Sequence, residues 1–251
     1  MSGVHLERIE LDRTQDELRK QLAESTRNSY FLQNVRHCIN VSDLEESKDW
    51  QQFYRSWGNL KRDEFMADNG EYRERRYSVF EYDSVDKTLC LSQDQTHYQT
   101  KSYNTLNGGV DRVYEAFETD TITNPILSGL LSYTLDHVER IKGESDWRIE
   151  AHQFRILASP EQSGKPTPEG IHQDGVDYVF VVMIDRHNVM GGITKVYTRN
   201  GKLLNSFKMR RPLDVLHVED QHVNHYVTAV KPLWDDQPAW RDVLVITFRS
   251  Q

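Results

Sequence analysis

Residues 166–174 read PTPEGIHQD and run at once into an apolar stretch, VDYVFVVMIDR (176–186). His172 and Asp174 are separated by one residue. On an extended backbone, residues i and i+2 project from the same face, so an imidazole and a carboxylate converge on one point. Two ligands of one metal ion must do the same. A histidine from a second strand would complete a two-histidine, one-carboxylate facial triad, a set that leaves coordination positions open. By itself His-x-Asp is a common chance pairing, and its meaning depends on the segments around it.

Those segments are strand-like. WRIEAHQFRILA (147–158) precedes the motif; ITKVYT (193–198), KLLNSFKM (202–209), LDVLHV (213–218), HYVTAV (225–230) and DVLVITF (242–248) follow it. Turn signals separate them: His187-Asn188 ahead of Gly191-Gly192, Asn200-Gly201, and the stretch from Pro232 to Pro238. Asn-Gly between two strands predicts a type I′ hairpin. Many short strands at regular spacing predict a sandwich or barrel. Upstream, RRYSVFEYD (75–83) and KTLCLSQ (87–93) also suit strands. A long helix is predicted at about 124–142. Pro125 stands at its first position, Leu127, Leu130, Leu131, Leu135, Val138 and Ile141 line one face, and Gly143 marks its stop.

Residues 1–70 read as helical and polar. Thr14-x-x-Glu17 and Ser42-x-x-Glu45 resemble capping boxes. Leu44, Trp50, Phe53, Tyr54, Trp57 and Leu60 recur at helical spacing and give one apolar face. The expected fold is therefore mainly β with flanking helices (α+β): a double-stranded β-helix, jelly-roll and cupin-like core. The whole chain, 1–251, reads as a single domain. Residues 1–70 are its helical support, and about 75–251 the jelly-roll core with one long helix.

A chain of 251 residues can bury a substantial core. No apolar run approaches the roughly 20 residues that span a bilayer, and the start, MSGVHLERIELDR, has no signal-peptide apolar core. Two cysteines, Cys38 and Cys90, make no disulfide framework, which favours a cytoplasmic setting. A net charge of −8 argues against nucleic acid or an anionic membrane as partner. A small molecule is the default partner, and oligomeric state is not legible.

The later histidines are His187, His217, His222 and His225. His187 falls in a polar turn, and His217 inside an apolar run. His222 and His225 both precede a strand, and periodicity does not decide between them. Arg241 and Arg249 bracket the last strand with equal parity, so both can point inward, as can Thr247. An arginine there suits a buried carboxylate, which it binds in a bidentate fork.

WRIEAHQFRI, PEGIHQDG, the GGITKVYT run, His225-Tyr226-Val227-Thr228 and RDVLVITF, in that order, resemble the bacterial Fe(II)/2-oxoglutarate dioxygenases. More narrowly they resemble the small family of the free L-isoleucine 4-hydroxylase. The resemblance covers about residues 95–251; residues 1–70 carry no motif of it. It implies that His172, Asp174 and His225 ligate Fe(II), that Arg241 anchors 2-oxoglutarate, and that O2 and a free, aliphatic L-amino acid are the other reactants. The products would be a hydroxylated amino acid, succinate and CO2. Related halogenases lack the carboxylate ligand, so Asp174 favours hydroxylation. One departure is Gln173, where arginine is usual.

A free amino acid needs partners for two charges. Arg155 is the candidate for its carboxylate and Glu169 for its ammonium, while Tyr98, Tyr103 and Asn104 belong to a polar segment suited to a lid. Two alternatives remain: hydroxylation of a peptidyl- or carrier-bound residue, and a non-catalytic jelly-roll binding protein. A cupin-type isomerase or dioxygenase would use the same ligands without needing Arg241.

Overall fold

A computed structural model describes residues 4–6, 8, 28–41, 43–66, 68–103 and 108–251. Their strands are β1 (His5–Leu6), β2 (Tyr30–Asn34), β3 (Lys61–Arg62), β4 (Arg73–Asp83), β5 (Thr88–Leu91), β6 (Trp147–Ala158), β7 (Tyr178–His187), β8 (Val189–Gly191), β9 (Thr194–Thr198), β10 (Leu203–Phe207), β11 (Asp214–Glu219), β12 (Val223–Val227), β13 (Val230–Pro232) and β14 (Ala239–Ser250). The helices are α1 (Lys48–Arg55), α2 (Thr119–Ile122) and α3 (Pro125–Lys142). One large sheet has the order β1-β5-β4-β6-β14-β7-β11-β2, with β3 beside the start of β4. A smaller sheet, β10-β9-β12, and a ribbon, β13-β8, complete a jelly roll.

The long strands serve two cores at once because their side chains alternate. In β14, Leu244, Ile246 and Phe248 join an apolar cluster with Leu127, Leu130, Leu131 and Leu135 of α3. Val243 and Val245 join a second cluster with Val179 and Val181 of β7, Val196 of β9 and Val223 of β12. Helices therefore cover the outer face of the large sheet, and the smaller sheet covers its inner face.

α3 is locally specified. The Asn124 side chain accepts from the Ile126 amide, Pro125 needs no amide partner, and Gly143 closes the helix with a φ of 88°. α1 buries Trp50 and Phe53. Its cap is Ser47, whose hydroxyl accepts from the Trp50 amide at 3.2 Å. The expected cap at Ser42 lies outside the described residues, as does Thr14-x-x-Glu17. Glu45 belongs to a turn in which Asp43 accepts its amide.

Two expectations change. The N-terminal stretch is not helical throughout: Tyr30–Asn34 pairs along β11 as the last strand of the large sheet, a register set by a partner nearly two hundred residues away. The 194–207 hairpin forms, but not with a type I′ turn. Only Gly201 has positive φ, at 80°, and the Lys202 carbonyl accepts the Thr198 amide across a longer loop. Among the described residues no helix is long and apolar enough to cross a membrane. Cys38 and Cys90 form no disulfide.

Leu130 is fully buried between α3 and the sheet. Leu130→Ala should cost about 2–5 kcal/mol through the cavity it leaves, seen as a lower urea midpoint with an unchanged denaturant slope.

Candidate active site

The segment carrying His172 does not belong to either sheet, yet one backbone pair ties it down. The His172 amide donates to the His225 carbonyl at 3.1 Å and the His225 amide returns the bond at 3.0 Å. Residues paired this way stand side by side, and the two imidazole centroids are 4.3 Å apart. Asp174, two residues on, adds its carboxylate: Oδ1 lies 3.6 Å from His172 Nε2 and Oδ2 3.5 Å from His225 Nε2. One ligand atom from each residue falls within 4.8 Å of the others.

Neighbours orient these side chains. His172 Nδ1 donates to the Gly170 carbonyl at 3.0 Å, which turns Nε2 toward Asp174. The Asp220 carboxylate accepts the amides of Asp174, Gly175 and Val176 at 3.0, 2.7 and 3.2 Å. Gln99 Nε2 donates to the Asp174 carbonyl at 2.8 Å. Gln173 turns away from the cluster and donates to the Asp220 carbonyl.

The electrostatics suit a cation. Burial alone would favour a neutral Asp174, but His172 and then His225 hold its carboxyl down to about 2. Burial likewise opposes a charge on His172, yet Asp174 and Glu169 lift it to about 9. Burial, reinforced by His172, pushes His225 down to about 4. A carboxylate with an unprotonated imidazole beside it is a donor set for a divalent transition metal, so the residues present fit an iron(II) ion.

The other histidines are elsewhere. His222 is exposed and paired with Glu219. His217 is buried among Phe31, Phe180 and His137, and His187 stacks on Trp240.

The triad opens on a cavity between the sheets, part of it open to solvent. Arg241, Val243, Val245, Thr247 and Arg249 all line it, as one face of β14 must. Arg241 is 2% exposed, and among the described residues its Nε and Nη2 have no hydrogen-bond partner. Burial and then the Arg186 charge depress its pKa, which marks a cation short of an anion. Gly192 makes room for it: a side chain there would meet Arg186 Nη1 at 2.6 Å and Arg241 Cδ at 3.3 Å. Arg249 instead donates to the Gly175 carbonyl.

A family model described as 2OG-Fe dioxygenase matches residues 54–247. The chain belongs to that family. It is accordingly an oxidoreductase dependent on Fe(II) and 2-oxoglutarate. The match begins well before residue 95, so part of the N-terminal region that carried no recognisable motif is also the family's. The oxygenase is 29% identical to L-isoleucine-4-hydroxylase of Bacillus thuringiensis, over 87% of this chain and 90% of that protein. It is 27% identical to 3(1)-hydroxy-L-isoleucine 4-dioxygenase of Pantoea ananatis, over 84% and 82%. A bsmA homologue from Methylobium petroleophilum PM1 has the same fold, with a TM-score of 0.83 at 33% identity over 93% of each chain.

Not every expected residue of the oxygenase reaches the cavity. Arg155 does not: its Nε and Nη2 grip Asp242 at 2.9 and 2.7 Å, and its guanidinium lies over Trp240. It sits at odd parity on β6, opposite Glu150, His152, Phe154 and Ile156, which do line the cavity. Thr247 lines it but stands six residues along β14 from Arg241, roughly 20 Å at strand rise, so the two do not share one carboxylate. Glu169 lines it with Oε1 3.3 Å from His172 Nε2. Tyr98 lines it too, Tyr103 covers Gly175, and Asn104 lies outside the described residues.

Sequence reading also passed over a polar wall. His97 Nδ1 donates to Glu150 Oε2 at 2.8 Å, Arg75 donates to His152 Nδ1, and Arg112 lies alongside. His97, Glu150 and His152 could geometrically hold a metal. Yet Arg75 occupies the His152 Nδ1 lone pair, and the Arg75 and Arg112 charges oppose a second cation. The available signal was parity: Glu150 and His152 alternate in step with the apolar residues of β6.

Removing Arg155 strands the Asp242 carboxylate, whose side chain is fully buried. Arg155→Ala should lower stability by about 3–5 kcal/mol, read by urea unfolding, while the 2-oxoglutarate Kd stays within about twofold.

Proposed function

We propose that this oxygenase hydroxylates a C–H bond of a free aliphatic L-amino acid, with His172, Asp174 and His225 holding iron and Arg241 holding 2-oxoglutarate. Iron(II) bound there supplies the activation of O2, coupled to conversion of 2-oxoglutarate to succinate and CO2. The observation that carries the reading is the pairing, in one cavity, of the triad with a buried arginine that lacks an anion.

The chain's own groups have distinct tasks. Arg241 offers its free Nε and Nη2 to the distal carboxylate of 2-oxoglutarate as a bidentate fork. Asp220 fixes the turn that aims Asp174. Val179, Val181, Val243 and Val245 give an apolar wall that accommodates an aliphatic side chain and excludes water. Glu169 accepts the substrate ammonium, and Tyr98 and Tyr103 border the entrance. The names of the Bacillus and Pantoea relatives, both acting on isoleucine or a hydroxy derivative of it, support a free amino acid over a peptidyl one. Two cysteines that form no disulfide favour the cytoplasm.

Asp174→Ala should abolish hydroxylation and weaken Fe(II) binding by at least an order of magnitude, measured by metal titration; retained turnover would sink the triad. Arg241→Ala should raise the 2-oxoglutarate Kd by about 100-fold or more, because a buried charge pair is broken, and leave Fe(II) affinity nearly unchanged. A larger loss in Arg249→Ala would move the anchor to the other end of β14. The reading as a whole is tested by incubating L-isoleucine, other free amino acids and an isoleucine-containing peptide with Fe(II), 2-oxoglutarate and air. Succinate should form only with a free amino acid.

A further inference from the structure

Resting on that reading, one position stays open: the carboxylate of the amino acid, for which Arg155 is unavailable because Asp242 holds it. The cavity contains a second cation without an anion. Arg112 is 2% exposed, lines the cavity, and has Nε and Nη2 without hydrogen-bond partners among the described residues. Among the described residues its one side-chain bond is from Nη1 to the Tyr114 hydroxyl, at 3.2 Å. Among the described residues no carboxylate lies within 4.0 Å of it.

Arg75 makes the charge imbalance sharper. Its guanidinium lies 3.5 Å from the centroid of the same Tyr114 ring and is near enough to Arg112 for the two charges to repel. Asp63 is the carboxylate beside Arg75, at 3.4 Å, and it is held more tightly by Arg73 at 2.7 Å. Two buried guanidiniums around one phenol leave a positive excess. Buried charges are ordinarily paired, and an anionic ligand between them removes both the excess and the unmet donors.

Position relative to the triad identifies that ligand. Arg112 is joined to His97 by a backbone bridge, with bonds of 3.0 and 2.9 Å, and Gln99, two residues on, donates to the Asp174 carbonyl at 2.8 Å. Arg241 lies away from this wall: β14 pairs it with Ile156, whereas Glu150 of the wall pairs with Thr247. One anion at each end, with the triad opening on the cavity between them, accounts for two carboxylate-bearing reactants.

We infer that Arg112, backed by Arg75, binds the α-carboxylate of the amino-acid substrate, while Arg241 binds 2-oxoglutarate. The substrate's aliphatic side chain then lies toward the valine wall. Arg112 thus selects for a free α-carboxylate.

The experiment measures ligand affinity without turnover, by calorimetry on the Mn(II)-loaded enzyme held anaerobically, for 2-oxoglutarate first and then for L-isoleucine or L-isoleucinol, which lacks the carboxylate. Wild type should prefer L-isoleucine strongly. Arg112→Ala should weaken L-isoleucine by roughly 10- to 100-fold, as expected for loss of a charge-assisted hydrogen bond, while affinity for L-isoleucinol changes little and 2-oxoglutarate still binds. Arg112→Lys, which keeps the charge but not the fork, should fall between. Equal loss for both ligands, or loss of 2-oxoglutarate instead, overturns the assignment. So does a carboxylate-selective loss in Arg249→Ala with none in the Arg112 variants. If Arg112→Ala does not fold, the lysine variant decides: full discrimination between acid and alcohol sinks the inference. A wild type that binds 2-oxoglutarate but no free amino acid defeats the proposed substrate class itself, and that result is distinguishable from failure of Arg112 alone.

Discussion

Two backbone hydrogen bonds between His172 and His225 hold the site together. The segment that supplies His172 and Asp174 has no sheet of its own, and this bridge is what sets it against a strand. The bridge places one imidazole against the other, and the i+2 geometry of an extended chain brings the carboxylate to the same side. Asp220, accepting three consecutive amides, then limits how far Asp174 can move. The smaller sheet is thus the carrier of the triad, and the large sheet is the wall it faces.

That wall is chemically graded along its strands. Its middle is valine; each end has guanidinium groups buried without a matching carboxylate, Arg241 beside Arg186 and Arg112 beside Arg75. Such groups oppose folding by themselves, since a buried unpaired charge or donor is costly. Their presence is explained when ligands complete them, which couples binding to stability: an anion that satisfies such a group binds the folded chain and not the unfolded one. The structure gives up stability in the places where it gains selectivity.

Local signals were legible in the sequence, and long-range ones were not. Asn124, Pro125, Gly143 and the leucine spacing suffice to define α3, because a helix satisfies its own backbone. His172 and Asp174 were legible because their relation spans two residues. His222 and His225 were not separable by pattern, since the difference is which one meets His172 across a bridge. Arg155 looked available because its parity could not be referred to a face until Asp242 was seen behind it. Arg112 carried no signal: its role depends on a loop folding back on His97. Tyr30–Asn34 read as helix for a similar reason, being a strand only because β11 is there to receive it.

The alternation of β14 has a consequence for how the chain tolerates change in length. Odd positions from Arg241 to Arg249 face the cavity, while Leu244, Ile246 and Phe248 face the helices. Deleting or inserting one residue inside this strand would exchange the two sets, driving arginine into an oily layer and phenylalanine into the reaction chamber. Substitutions here alter one contact each, whereas a single-residue shift in length rewrites both faces together. A change in length is therefore tolerated in a loop and not here, and the strand acts as a fixed ruler for the chemistry beside it.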